Sequence, residues 1–159
     1  MATGHVTYYF ASRTTLLVQA VRESEDAYAT HLAERTAGIA DPWERIATFV
    51  RLSAADGPRD RGWVLWFEVW ALAAREPEVA QMRDELSARS TQVLRQIIED
   101  GISRREFKKV DPSETAALIA ATIDGLSVQV ALGSTTGSAG RTIEERCLDL
   151  ARALLARRR

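Results

Sequence analysis

Acid–proline pairs divide this chain and predict where its helices begin. Asp41 precedes Pro42, and Asp111 precedes Pro112. An aspartate at such a position accepts hydrogen bonds from the free N–H groups of the first helical turn, and proline suits the next position because the N–H that it lacks would have no partner there. After these starts, apolar residues recur at steps of three and four, and no stretch alternates regularly between apolar and polar residues. The predicted fold class is therefore all-α.

Further signals complete the set of helices. Glu76-Pro77 separates two of them, and Thr142 with Glu145 three residues later forms a capping-box pattern. The segment 63–75 is apolar nearly all round, which predicts a central, buried helix. The predicted helices cover residues 3–10, 12–35, 63–75, 78–105 and 112–132, with two more that begin at Pro42 and Thr142.

The charge and cysteine content exclude several classes of protein. The 21 basic and 22 acidic side chains nearly cancel, so any contact with nucleic acid has to come from a local surface. The single cysteine, Cys147, cannot form an internal disulfide, which favours a reducing cytoplasm, and we expect it to be a small buried hydrophobe. No apolar run is long enough to cross a membrane. Because metal-ligand spacings, phosphate loops and catalytic residue patterns are missing, we expect no enzyme activity, metal or cofactor.

The segment 4–17, GHVTYYFASRTTLL, is the most specific pattern in the chain. It resembles the recognition helix and following turn of TetR-family transcriptional regulators, with a glycine, a Tyr-Phe pair, a small residue, Ser-Arg and two leucines. A short helix can enter the major groove and present its first residues to base edges, while tyrosine and arginine side chains contact phosphates. The resemblance implies DNA contacts by Thr3, Gly4, His5, Thr7, Tyr8, Tyr9 and Arg13.

The sequence begins inside this recognition helix, although a helix-turn-helix needs two helices before it. Residues 1–35 are therefore predicted to be the remnant of a DNA-binding headpiece with its connecting helix, and 36–159 a ligand-binding and dimerisation domain. We expect the complete protein to bind a palindromic operator as a dimer, and this chain to bind it weakly or not at all. The alternative is a helical small-molecule-binding and dimerisation module that never contacts DNA.

The rest of the chain resembles the choline-responsive BetI branch of the TetR family. The resemblance lies in the aromatic helix, the break at 75–78 and the run at 124–126. It implies a homodimer formed by the last two helices and a pocket for a small molecule of unknown identity among the middle helices. Alanines in the penultimate helix favour the same interface, since small side chains let helices approach closely. The predicted interface residues are Ala117, Ala120, Ala121, Asp124, Val128, Leu148 and Leu155.

Four aromatic residues are predicted to line the pocket: Trp63, Trp66, Phe67 and Trp70. Aromatic rings can line an apolar pocket or hold a cation against their faces, and ordinary core packing is the alternative for each of them. Asp124 has three possible roles, as an interface acid, a pocket acid or a packing feature, of which we place the interface first.

Overall fold

The protein is a helical bundle in the part of the chain that its computed structural model describes, residues 13–134 and 140–157. The helices are α1 (Arg13–Thr36), α2 (Pro42–Ser53), α3 (Arg61–Ala73), α4 (Pro77–Ser103), α5 (Pro112–Ala131) and α6 (Ile143–Leu155). Within those two ranges all regular secondary structure is helical, which confirms the all-α prediction. The predicted helix 3–10 lies outside them. None of the helices described is long and apolar enough to cross a membrane.

The caps form as the local sequence predicts. Asp41 accepts a hydrogen bond from the backbone N–H of Trp43 at 2.9 Å, and Asp111 accepts from two N–H groups at the start of α5. Thr142 and Glu145 exchange hydrogen bonds at 3.1 and 2.8 Å, a complete capping box. Each interaction involves residues no more than three apart, so the sequence alone predicts it.

The buried apolar residues form two clusters. The large cluster joins the C-terminal end of α1 with α2, the second half of α4, α5 and α6. The small cluster joins the N-terminal half of α1 with α3 and the first half of α4. Only α1 and α4 contribute to both clusters, through residues such as Val21 and Leu32 of α1. Cys147 belongs to the large cluster and is fully buried, as predicted, and burial raises its pKa to about 11.

Helix α3 is less buried than its composition predicts. Of its residues only Val69 and Ala73 are buried, and Val64 is 43% exposed. The aromatic side chains at 63, 66, 67 and 70 are half-buried. The predicted central position was wrong, because an apolar surface all round a helix does not state how many neighbours cover it. Helix α3 instead forms a wall at one side of the bundle.

Candidate ligand-binding site

The rings of α3 form a continuous aromatic cluster centred on Trp70. Its ring centroid lies 5.9 Å from that of Trp63, 6.1 Å from that of Trp66 and 6.0 Å from that of Phe67. These spacings lie within the range of favourable aromatic pairs. The three tryptophans face a cavity of about 350 Å³, whereas Phe67 packs beside Trp70 without lining it.

The cavity lies between the two apolar clusters and takes residues from five helices. Its aromatic wall on α3 faces a rim of polar residues from α1, α2, α4 and α5 and from the loop before α3. The polar and charged residues of this lining are Ser24, Glu25, Tyr28, Arg51, Ser53, Asp56, Asp60, Ser87, Ser90, Thr91 and Asp124. A concave site with aromatic walls and a few polar groups is the usual form of a small-molecule pocket.

Asp124 on α5 is a carboxylate of the cavity lining that lacks a partner. No hydrogen bond or ion pair reaches its side chain from the described residues. The residue is exposed, and partial desolvation beside the cavity wall raises its pKa to about 6, with no neighbouring cation to lower it again. A partly desolvated carboxylate without a counter-charge is stabilised by a cation that enters the cavity.

Glu25 on α1 is a second carboxylate in this lining. The indole N–H of Trp66 donates a hydrogen bond of 2.9 Å to Glu25 Oε1. Burial raises the pKa of Glu25, and the hydrogen bond from Trp66 and the charge of Arg89 partly offset that rise. The bond holds the edge of the Trp66 ring and so orients its face in the cavity wall.

Tyr28, one turn after Glu25, carries a hydroxyl that the surrounding helices hold in place. Its oxygen lies 2.6 Å from Ser53 Oγ, and Ser53 donates to the Phe49 carbonyl at 2.7 Å. Since the serine hydroxyl has one proton, Tyr28 is the donor to Ser53. Burial raises the pKa of Tyr28, so it stays a neutral hydroxyl.

Arg51, the cation of the cavity lining, is already engaged elsewhere. Its guanidinium contacts Glu44 at 2.7 Å and Glu144 at 2.9 Å. Asp60 is likewise engaged, because its two oxygens accept the backbone N–H groups of Asp56 and Trp63. Asp124, Asp56 and the free oxygen of Glu25 therefore leave the cavity with an excess of negative charge.

A second cavity of about 350 Å³ lies between the ends of α2 and α5 and the start of α6. It has no aromatic side chain in its lining. Arg141 is paired there with Asp149, and Arg51 with its two glutamates. Because this second cavity has no aromatic wall and two of its arginines are already paired, the aromatic cavity is the better candidate for a ligand site.

A match to a protein-family model identifies the family to which this fold belongs. The C-terminal domain of BetI-type transcriptional repressors matches residues 42–158. The chain belongs to the TetR family of transcriptional regulators. Its body is of the BetI type, which confirms the family resemblance of the sequence. No curated protein matches the chain.

Solved TetR-type structures share the fold. A transcriptional regulator from Saccharomonospora viridis, solved in complex with choline, superposes with a TM-score of 0.89 at 24% identity, over 99% of this chain and 82% of that one. A TetR-family regulator from Rhodococcus sp. gives 0.78 at 20% identity, over 92% and 79% of the two chains. A TetR regulator from Haloarcula marismortui gives 0.81 at 18% identity, over 97% and 81%. At these identities the likeness shows the fold alone.

The residues that the sequence predicts for the TetR dimer interface differ in burial and in location. Ala120 and Asp124 line the cavity, and Leu155 is fully buried in the large cluster of its own chain. We therefore remove Leu155 from the predicted interface, while the assignment of Ala120 and of the exposed Asp124 to the interface stays a prediction. Ala117 and Ala121 are exposed, while Val128 and Leu148 are half-buried. Leu155 was assigned wrongly because helical periodicity shows which side chains of α6 share a face but not whether that face packs on its own chain or on a second copy.

The predicted DNA-contacting residues lie almost wholly outside the described part of the TetR chain. Thr3, Gly4, His5, Thr7, Tyr8 and Tyr9 precede it, and Arg13 is described only as the first residue of the α1 backbone. Their role in DNA binding stays a prediction.

Glu25 and Tyr28 were missed as cavity residues, although the sequence contains a signal for them. Val21, Glu25, Tyr28 and Leu32 follow one another at steps of four, three and four, so they share one face of α1. Val21 and Leu32 are buried at 1% and 2% exposure. A glutamate inside an otherwise apolar stripe indicates that the stripe borders a polar site and not only a core.

Proposed function

We propose that this protein is a ligand-responsive TetR-type transcriptional repressor whose ligand is a small organic cation. The observation that carries the proposal is the aromatic cavity with the carboxylate of Asp124, which has no described partner, in its lining. Ligand binding shifts α1, the helix that connects the body to the predicted DNA-binding segment, and so changes the spacing of two headpieces on a palindromic operator.

The chemistry of the lining favours a cation over a neutral or anionic ligand. Tryptophan faces attract cations through the ring quadrupole, most strongly where water is excluded. Asp124 and Glu25 supply negative charge beside these faces, and Arg51 is paired with other acids. The choline complex of the Saccharomonospora viridis regulator supports the same class of ligand.

Calorimetric titration with choline and with its uncharged carbon analogue, 3,3-dimethylbutan-1-ol, tests this ligand class. The two molecules have nearly the same shape and differ in charge. We expect choline to bind about 30-fold more tightly, which corresponds to about 2 kcal/mol for a desolvated cation against aromatic faces. Equal affinities would show that the pocket recognises shape and apolar area, and the cation proposal would then be abandoned.

Replacing Trp70 with leucine is expected to weaken choline binding about tenfold, because the cation loses one ring face at the centre of the wall. Phe67→Leu is the matched control, since Phe67 packs against the same ring from outside the cavity lining. Calorimetric titration of both variants with choline compares the affinity lost with a ring of the cavity lining and the affinity lost with a ring outside it. A larger loss from Phe67→Leu would place the cation on the other side of Trp70.

The proposed homodimer uses an apolar stripe on α5. Leu118 and Leu132 are 49% and 69% exposed. Between them lie Ala121, Gly125 and Val128 at steps of three and four, so all five residues share one face. Small residues between two leucines let a second copy of the helix approach closely, and Leu148 on α6 adds a half-buried apolar neighbour. A two-fold arrangement buries this stripe against itself.

Leu118→Glu is expected to convert the dimer to a monomer, because it would bury a glutamate from each copy in the apolar stripe without a counter-charge. Sedimentation equilibrium or light scattering after gel filtration measures the mass. Val64→Glu is the matched control, as it charges another exposed apolar residue away from α5. A dimer that survives Leu118→Glu would place the interface on a different face.

Operator binding requires a separate experiment. A polypeptide that carries a complete helix-turn-helix is expected to retard a palindromic duplex selected from a random library, and choline is expected to release that duplex. Retardation that choline strengthens would indicate an activator or a corepressor response in place of induction.

A further inference from the structure

Helix α1 crosses the cavity between two buried anchors. Val21 holds its N-terminal half in the small cluster, and Leu32 holds its C-terminal end in the large cluster. Glu25 and Tyr28 lie between these anchors on the same face and line the cavity. The middle of α1 therefore has a cavity beneath it where the rest of the helix has a packed core.

A few polar contacts hold this middle section to the body, and one of them joins Tyr28 to Ser53 Oγ at 2.6 Å. The hydrogen bond from Trp66 reaches one oxygen of Glu25, and Oε2 has no hydrogen-bond partner among the described residues. On the outside, Arg22 pairs with Glu85 at 3.1 Å and Asp26 with Arg89 at 3.0 Å. Both ion pairs are exposed, and such pairs stabilise weakly.

We infer that Glu25 is the residue through which a cation in the cavity acts on α1. This inference rests on the proposed function and adds the element of regulation to it. The second oxygen of Glu25 completes a clamp in which the cation joins α1 to the tryptophans of α3 and to Asp124 of α5. A cation at this oxygen adds an electrostatic attraction between α1 and the cavity wall that the indole hydrogen bond to Oε1 does not supply.

A cation in the cavity biases the position of α1 only if one of its contacts depends on that position. A ligand shifts a conformational equilibrium only through interactions that it makes in one state and not in the other. The faces of Trp66 and Trp70 and the carboxylate of Asp124 contact the cation wherever α1 lies. Glu25 contacts it only while α1 holds the position seen here, so a bound cation favours this position over those in which α1 moves away.

Hydrogen–deuterium exchange of the 159-residue chain, with choline as the probe, tests the clamp. In the unaltered protein, saturating choline is expected to slow exchange in α1 between residues 17 and 30 about tenfold, and also to slow α3 and α5. Glu25→Gln keeps an acceptor for the Trp66 N–H but removes the charge. Choline then binds about tenfold more weakly, and at saturation it still protects α3 and α5 but slows α1 less than about twofold.

Glu85→Gln is the matched control. It removes an acid that holds α1 from outside the cavity, so α1 exchanges faster with and without choline while the slowing by choline persists. Full choline protection of α1 in Glu25→Gln would overturn the inference and leave the proposed ligand class intact. If adding choline to the unaltered protein gives no heat in calorimetry and no protection from hydrogen exchange, the proposed ligand class is overturned, and the clamp with it.

Discussion

Asp124→Asn is expected to weaken choline binding about tenfold, equivalent to about 1.4 kcal/mol. Asparagine keeps the size and shape of the side chain and removes its charge. The loss follows because Asp124 lines the cavity and has no described partner, so its interaction with a cation is not already satisfied by a neighbour, while its exposure to solvent limits the size of the effect. Calorimetric titration at a pH well above 6 measures the change with the carboxylate ionised.

Glu68→Gln is the control for this substitution. Glu68 is exposed on α3 and does not line the cavity, so its neutralisation changes the net charge by the same amount. We expect its choline affinity to stay within about twofold of the unaltered protein, since exposed charges are screened. Equal losses in the two variants would indicate a long-range effect of net charge in place of a contact at Asp124.

The same carboxylate predicts how choline binding depends on pH. Partial desolvation raises the pKa of Asp124 to about 6, so the proton that a cation has to displace is still bound at lower pH. Affinity therefore rises as the pH increases through 6 and levels off above about 7, with about a tenfold difference between pH 5 and the plateau. Glu25, whose pKa is also raised by burial, contributes in the same direction. Asp124→Asn should remove most of this dependence, and a profile that is unchanged in the variant would contradict the assignment.

Gly101→Ala is expected to lower the free energy of unfolding by about 3 kcal/mol. A Cβ at this position would lie 2.3 Å from two ring carbons of Phe107. That ring cannot move aside, because it is 2% exposed and packs edge-on against Trp43 at 4.7 Å between ring centroids. Chemical denaturation followed by circular dichroism measures the loss, which corresponds to about 8 °C in Tm.

Two variants complete this test. Gly57→Ala places a methyl group where no atom lies within 4 Å, so it should leave stability nearly unchanged. Phe107→Leu removes part of the ring that Gly101→Ala would meet, so the double variant should lose less stability than the two single variants added together. Additive losses would mean that the cost at Gly101 has a cause other than the Phe107 ring.

Features that depend on neighbours in sequence could be predicted without the structure. The caps at Asp41, Asp111 and Thr142 involve groups no more than three residues away, and the starts of α2, α5 and α6 follow from them. The burial of Cys147 followed from the apolar stripe of α6. The aromatic group of α3 could also be recognised, since its members recur at helical spacing.

Which neighbour each helix face meets was decided only by the tertiary structure. Asp124 and Ala120 point to the cavity while Ala121 and Leu118 face outward, although all four lie on one alanine-rich helix. Likewise α3 forms a wall and not the centre of the bundle. Periodicity along a helix establishes which side chains share a direction, because the backbone geometry is local. It does not establish what lies in that direction, since that depends on how α1, α4 and α5 pack around one another from distant parts of the chain.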